Sequence, residues 1–74
     1  MTEPRYHINV FWSSRENCWL ADIPDLVSCS AQGDSPLGAL AEVEIAMALW
    51  LETARDGNLP IPDARYDWKT QHLA

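Results

Sequence analysis

Val27-Ser28-Cys29-Ser30-Ala31-Gln32-Gly33-Asp34-Ser35-Pro36 is the stretch on which the fold turns. Val27, Cys29 and Ala31 alternate with Ser28, Ser30 and Gln32, the period-two pattern of a short strand whose polar side is uncharged. Gly33-Asp34 ends that strand, and a helix begins at once. Ser35 offers a side-chain oxygen to the free N–H groups of a first turn, with Asp34 as the alternative cap, and Pro36 has no N–H to leave unsatisfied.

Downstream, the helix is predicted from Pro36 to about Asp56, about 31 Å at 1.5 Å per residue. Gly57 is expected to stop it in the left-handed conformation that closes many helices, with Pro60 and Pro62 beyond. Leu40, Val43, Met47, Trp50 and Ala54 recur at spacings of three and four and form the stripe expected to face a sheet. Ile45 and Leu49 fall roughly opposite, one turn apart, beside Glu42 and Glu52. A helix packed only on its own sheet exposes both, so they are expected in an oligomer or partner contact. After Asn58-Leu59-Pro60-Ile61-Pro62, extended by its prolines, residues 63–74 form a tail without clear periodicity that carries Tyr66 and Trp68.

Upstream, Tyr6, Ile8, Val10 and Trp12 alternate with His7, Asn9, Phe11 and Ser13, giving a first strand over Arg5 to Ser13. The polar Ser14-Arg15-Glu16-Asn17 leads into a second apolar run, Cys18 to Ile23, and the two pair as a hairpin. Pro24 and Asp25 end it. The expected class is α+β: a three- or four-stranded antiparallel sheet packed on one face by one long helix, in the order β-β-β-α-β. If Tyr6, Ile8, Val10 and Trp12 face the helix, then His7, Asn9 and Phe11 look away; the second strand is apolar on both faces, with Trp19 beside Leu20. Trp12 and Trp50 are expected on core faces.

The whole chain reads as one domain, residues 1–74, with its core over about 5–62. It has 74 residues, 5 Lys plus Arg against 11 Asp plus Glu, a net charge of -6 and 47% hydrophobic residues. Such a charge repels phosphate backbones and suits a basic protein partner instead. Met1-Thr2-Glu3-Pro4 lacks the basic start and apolar run of a signal peptide, so a cytoplasmic protein is expected. Cys18 and Cys29, without CxxC spacing or neighbouring histidines, are expected to be buried thiols and neither a disulfide scaffold nor a zinc site.

Catalysis has little to work with. Acid–base or two-metal chemistry needs converging carboxylates, and the strands offer only Asp22, with Asp25 in the next turn. His7 and His72 are far apart in sequence, no Ser or Cys sits in a nucleophile elbow, and Gly33, Gly38 and Gly57 form no phosphate loop. The expectation is a protein that is not an enzyme, with no metal and no cofactor.

A sequence of short motifs runs through most of the chain: Tyr6, then Ala21-Asp22-Ile23-Pro24-Asp25-Leu26, then Cys29-Ser30-Ala31-Gln32-Gly33-Asp34-Ser35-Pro36, Ala39-Leu40, and Gly57-Asn58-Leu59-Pro60-Ile61-Pro62. In order and spacing this resembles the amino-terminal domain of the HicB antitoxins. The resemblance implies a partial, degraded RNase H-like fold without a working nuclease centre. It also implies a role in a toxin–antitoxin system: binding and neutralising HicA, a small basic RNA-cleaving toxin. Many family members add a carboxyl-terminal DNA-binding domain. This chain resembles the short form without it, so no direct DNA binding is expected.

Partner contact is expected at Glu16 in the hairpin loop, at Asp22 and Asp25 beside the end of the second strand, and at Trp19 as an aromatic anchor. Self-association as a homodimer or homotetramer is expected through Ile45 and Leu49. The alternative reading is a stand-alone oligomeric binding module of the same fold with no dedicated toxin.

Overall fold

Three strands and one helix follow one another: β1 (Asn9–Ser13), β2 (Cys18–Asp22), β3 (Ser30–Gly33) and α1 (Pro36–Asp56). The computed structural model describes residues 6–65; Arg5, Tyr66, Trp68 and His72, on which expectations were placed, lie outside that range together with the rest of the 66–74 tail. The strands form one antiparallel sheet in the order β1-β2-β3, as the α+β reading requires.

Register assigns every strand residue to a face. Val10 pairs with Ala21 and Trp12 with Trp19; Ala21 in turn pairs with Ala31 and Trp19 with Gly33. Directly opposed residues share a face, so these six form the side that α1 covers. The other side carries Asn9, Asp22 and Ser30 in one row, Phe11, Leu20 and Gln32 in the next, and Ser13 with Cys18 in a third. The helix lies chiefly over β3 and β2 and reaches β1 least. Trp12, expected in the core, is therefore half exposed, because the helix does not extend over its strand.

The first strand is shorter than its alternation suggests. Tyr6, His7 and Ile8 lead into β1 without joining the ladder, although Tyr6 is buried and Ile8 packs on the core. The third strand begins at Ser30 instead of Val27. Ser28 has φ 60°, a left-handed conformation incompatible with extension, and the chain from Ile23 to Cys29 closes as a loop. Cys29 donates its N–H to Leu26 O, Leu26 to Ile23 O and Ile23 to Cys29 O. Leu26 drops from this loop into the core while Val27 points to solvent.

Ser35 caps α1 as its sequence predicts, accepting from the Gly38 N–H at 3.0 Å, with Pro36 in the first turn. The buried face of the helix is centred on Ala39, Val43, Leu51 and Ala54, with Leu40, Met47 and Trp50 only partly covered. The expected stripe thus holds at Val43 and Ala54 but omitted Ala39 and Leu51. The two lie on either side of that stripe, Ala39 where the helix backbone comes closest to β3.

The helix stop differs from expectation. Gly57 has φ -87° and is not left-handed; Asn58, at φ 57°, takes that position. Leu59 N–H reaches back to Ala54 O at 2.7 Å and Asn58 N–H to Arg55 O at 3.1 Å, the paired bonds of a Schellman motif. Beyond it the chain turns back across the molecule. The Tyr6 hydroxyl donates to Pro62 O, and the Arg65 N–H donates to Asp25 Oδ2 at 3.2 Å. No fourth strand occurs among the described residues.

Candidate protein-binding surface

The four residues expected to meet a partner do not form one patch. Glu16 sits in the β1–β2 turn, held there because Asn17 adopts φ 58° and the Glu16 N–H bonds Ser13 Oγ at 3.1 Å. Asp22 ends β2 at the other extremity, about 13 Å from the strand's first residue, Cys18, at 3.3 Å per residue. Trp19 is on the helix side of the sheet, edge-on to Trp12 with ring centroids 5.6 Å apart, while Asp22 is on the opposite side.

Both strand-end acids also serve the fold. Asn9 Nδ2 donates to Asp22 Oδ1 at 3.0 Å, and Asn9 Oδ1 lies 2.7 Å from His7 Nε2. With its amide nitrogen on Asp22, Asn9 presents its oxygen to His7. This chain ties the lead-in of β1 to the end of β2. Asp25 anchors the segment after the helix through Arg65. A His–Asn–Asp line of this kind lacks a nucleophile, and among the described residues no cluster of His, Cys, Asp and Glu is able to hold a metal.

The acidic charge is concentrated elsewhere. On α1, Glu42, Ile45, Leu49 and Glu52 follow at spacings of three, four and three, making a continuous row on the solvent side. Ile45 is 56% and Leu49 58% exposed, as expected for the face turned from the sheet. Beside this row, Leu49 and Trp50 join Ser28, Cys29 and Leu59 around an apolar groove of about 440 Å³. The Trp50 indole crosses to bond Val27 O at 2.9 Å, closing the groove against the β2–β3 loop. Near the start of the helix, a second depression of about 430 Å³ is lined by Cys18, Asp34 and Glu42. The sequence reading took Asp34 as an alternative helix cap and Glu42 as a neighbour of Ile45, and nothing in their spacing shows that the two line one depression.

The two thiols differ. Cys29 is buried, and burial pushes its pKa above the ordinary value. Cys18, expected buried, is half exposed on the uncovered sheet face, 3.7 Å from Gln32 Oε1.

Over 53 residues, 72% of this chain and 73% of the relative, the sequence is 40% identical to the UPF0150 protein ssl0259 of Synechocystis sp.. The chain belongs to the UPF0150 family. That family name carries no activity, substrate or partner. No family model and no solved structure matches the chain. For this UPF0150 protein, then, the surface itself is the guide, and no helix among the described residues is long and apolar enough to cross a membrane.

Proposed function

We propose that this UPF0150 chain is a HicB-like antitoxin domain, a non-enzymatic inhibitor that binds and neutralises a small basic RNA-cleaving protein. The observation that carries this reading is the solvent face of α1, where Ile45 and Leu49 form an apolar centre between Glu42 and Glu52. Apolar centre and charged rim are the anatomy of a protein interface. Here the rim is acidic on a chain of net charge -6, which steers a basic partner to it. Asp34, Glu44 and Asp56 on or beside the same helix extend the negative field. Ile45 and Leu49 are accordingly assigned to the partner in preference to a second copy, whose matching glutamates would repel.

The test is co-expression of the full chain with an adjacent or best-matching small basic RNA-cleaving protein, scored by growth rescue and by co-purification through a tag on this chain. The expected result is rescue with a stable complex that weakens as salt rises, and loss of both in Glu42→Lys/Glu52→Lys. Absence of rescue and complex with the unaltered chain overturns the toxin reading.

A further inference from the structure

We propose that the groove beside Leu49 is the seat of a helix from the basic protein partner. One apolar side chain of that helix fills the space between Ala46, Leu49, Trp50 and Thr53, and a Lys or Arg two turns to either side meets Glu42 and Asp56. This rests on the proposed function and adds which element of the partner binds, and where.

The surface of α1 supplies a hole of the right shape. Ala46, Leu49, Trp50 and Thr53 all line the groove of about 440 Å³, and they stand at i, i+3, i+4 and i+7. Four residues at that spacing surround one point on a helix, the place where a side chain of a facing helix inserts. Ala46 and Thr53 are small and let a second helix approach closely, while Leu49 and Trp50 give the hole apolar walls. At 100° per residue its centre lies about 90° around α1 from the buried Ala39, Val43, Leu51 and Ala54, so the fold's own core does not use it.

The other walls are fixed by bonds within the fold. The Trp50 indole N–H donates to Val27 O at 2.9 Å and holds Ser28 and Cys29 of the β2–β3 loop along one side. Leu59 stands at the lower end, placed there by its N–H bond to Ala54 O at 2.7 Å. Leu49 and Leu59 are each 58% exposed, and a surface already held in shape loses little freedom when it is covered. An amphipathic helix laid into an apolar groove, with its anchors at helical spacing, is a recurring mode of recognition.

Charge selects the occupant. Glu42, Leu49 and Asp56 follow at intervals of seven, nearly on one line along α1, which puts an acid about 10 Å to each side of the leucine. Glu52 stands beside the lower half of that line. All three acids are exposed, and no ion pair among the described residues engages them. Arg55, the one basic residue of α1, falls about 120° around from Leu49. A helix lying along this line therefore gains from a cation about seven residues before its apolar anchor and another about seven after it. A second copy of this chain brings the same acids to the groove and is repelled; a basic partner is attracted.

The test uses the full chain with the small basic RNA-cleaving protein of the co-expression experiment. The photoreactive residue p-benzoylphenylalanine is placed at Thr53, on the groove rim, or at Gln32, on the opposite side of the sheet. Cross-linking from 53 is expected to join the two proteins at a partner peptide whose apolar residue has Lys or Arg about seven positions to each side; position 32 is expected not to cross-link. Thr53→Arg is expected to weaken the complex about tenfold, as loss of an interface anchor does, with unchanged circular dichroism. Asp56→Asn is expected to weaken it and flatten its salt dependence, whereas Asp63→Asn, which removes the same charge from an exposed site beyond the helix, is not.

A complex that keeps its affinity in Thr53→Arg, or responds equally to Asp56→Asn and Asp63→Asn, overturns the helix seat and leaves the proposed function standing. So does cross-linking from 53 to a partner peptide without that spacing, to residues 66–74 of this chain, or to a second copy. Absence of any complex with the unaltered chain overturns both.

Discussion

A Cβ placed on Gly33 would lie 2.5 Å from the backbone nitrogen of Ala39, so the end of β3 and the first turn of α1 meet backbone to backbone. The same atom would sit 2.7 Å from the Gly38 carbonyl carbon, and both obstacles are main chain, which cannot rotate aside. This contact, made possible by a glycine, sets how closely the helix approaches the sheet, and through that approach Ala39 and Val43 become fully buried.

Gly33→Ala is therefore expected to destabilise by about 3 kcal/mol, the upper end of the range for overpacked cores. Urea denaturation checks it. Gly38→Ala is the comparison: its added Cβ meets the Ser35 hydroxyl at 3.1 Å and Gly33 Cα at an ordinary 4.0 Å, and a smaller loss is expected.

The helix stop makes an opposite forecast for Gly57 and Asn58. Gly57→Ala has an allowed φ and an ordinary 3.4 Å contact to Leu59 Cγ, so the variant is expected to keep or gain stability, by up to about 1 kcal/mol. Asn58→Val forces a β-branched residue to φ 57° and is expected to cost about 2 kcal/mol, whereas Asn58→Gly is tolerated. Thermal melts of the three variants rank them.

Trp50→Phe keeps most of the apolar contact but removes the indole bond to Val27 O. A loss of about 1 kcal/mol is expected, together with faster amide exchange in the loop from Ile23 to Cys29, since that bond ties the loop to the helix.

Cys29 supplies a pH dependence. Its folded-state pKa is raised above the ordinary 9.0 by burial. The unfolded chain therefore loses its thiol proton first as pH rises, and the stability that the neutral thiol contributes is present below about pH 9 and lost through the folded pKa. Urea midpoints are expected to fall more steeply above pH 9 in the native sequence than in Cys29→Ala. At neutral pH a thiol reagent is expected to label Cys18 well before Cys29, because only Cys18 is partly exposed.

Much of the fold was legible before any coordinates. The β1 alternation, the polar turn at 14–17 and the Ser35-Pro36 cap are local signals, each set by neighbours a few residues apart, and all three recur in the structure. The surface was less legible. Glu16, Trp19, Asp22 and Asp25 are close in sequence, yet a strand alternates its faces and separates its ends, so they point to different regions. Phe11 was read correctly as looking away from the helix, whereas Val10 and Trp12 were expected to be covered by it and are exposed, because an alternating strand reads as half buried whether or not a helix reaches it.

By itself the sequence determined the element order, the hairpin, the capped helix and the outward turn of Ile45 and Leu49, since periodicity and capping depend on short-range geometry. Tertiary structure alone decided that the helix rests chiefly on β3 and covers β1 least. It also decided that Asn58 closes the helix instead of Gly57, and that Asp34 and Glu42 line one depression. The reason is physical: these outcomes rest on where two backbones can approach and on bonds such as Leu59 to Ala54, which form only once distant segments are in place.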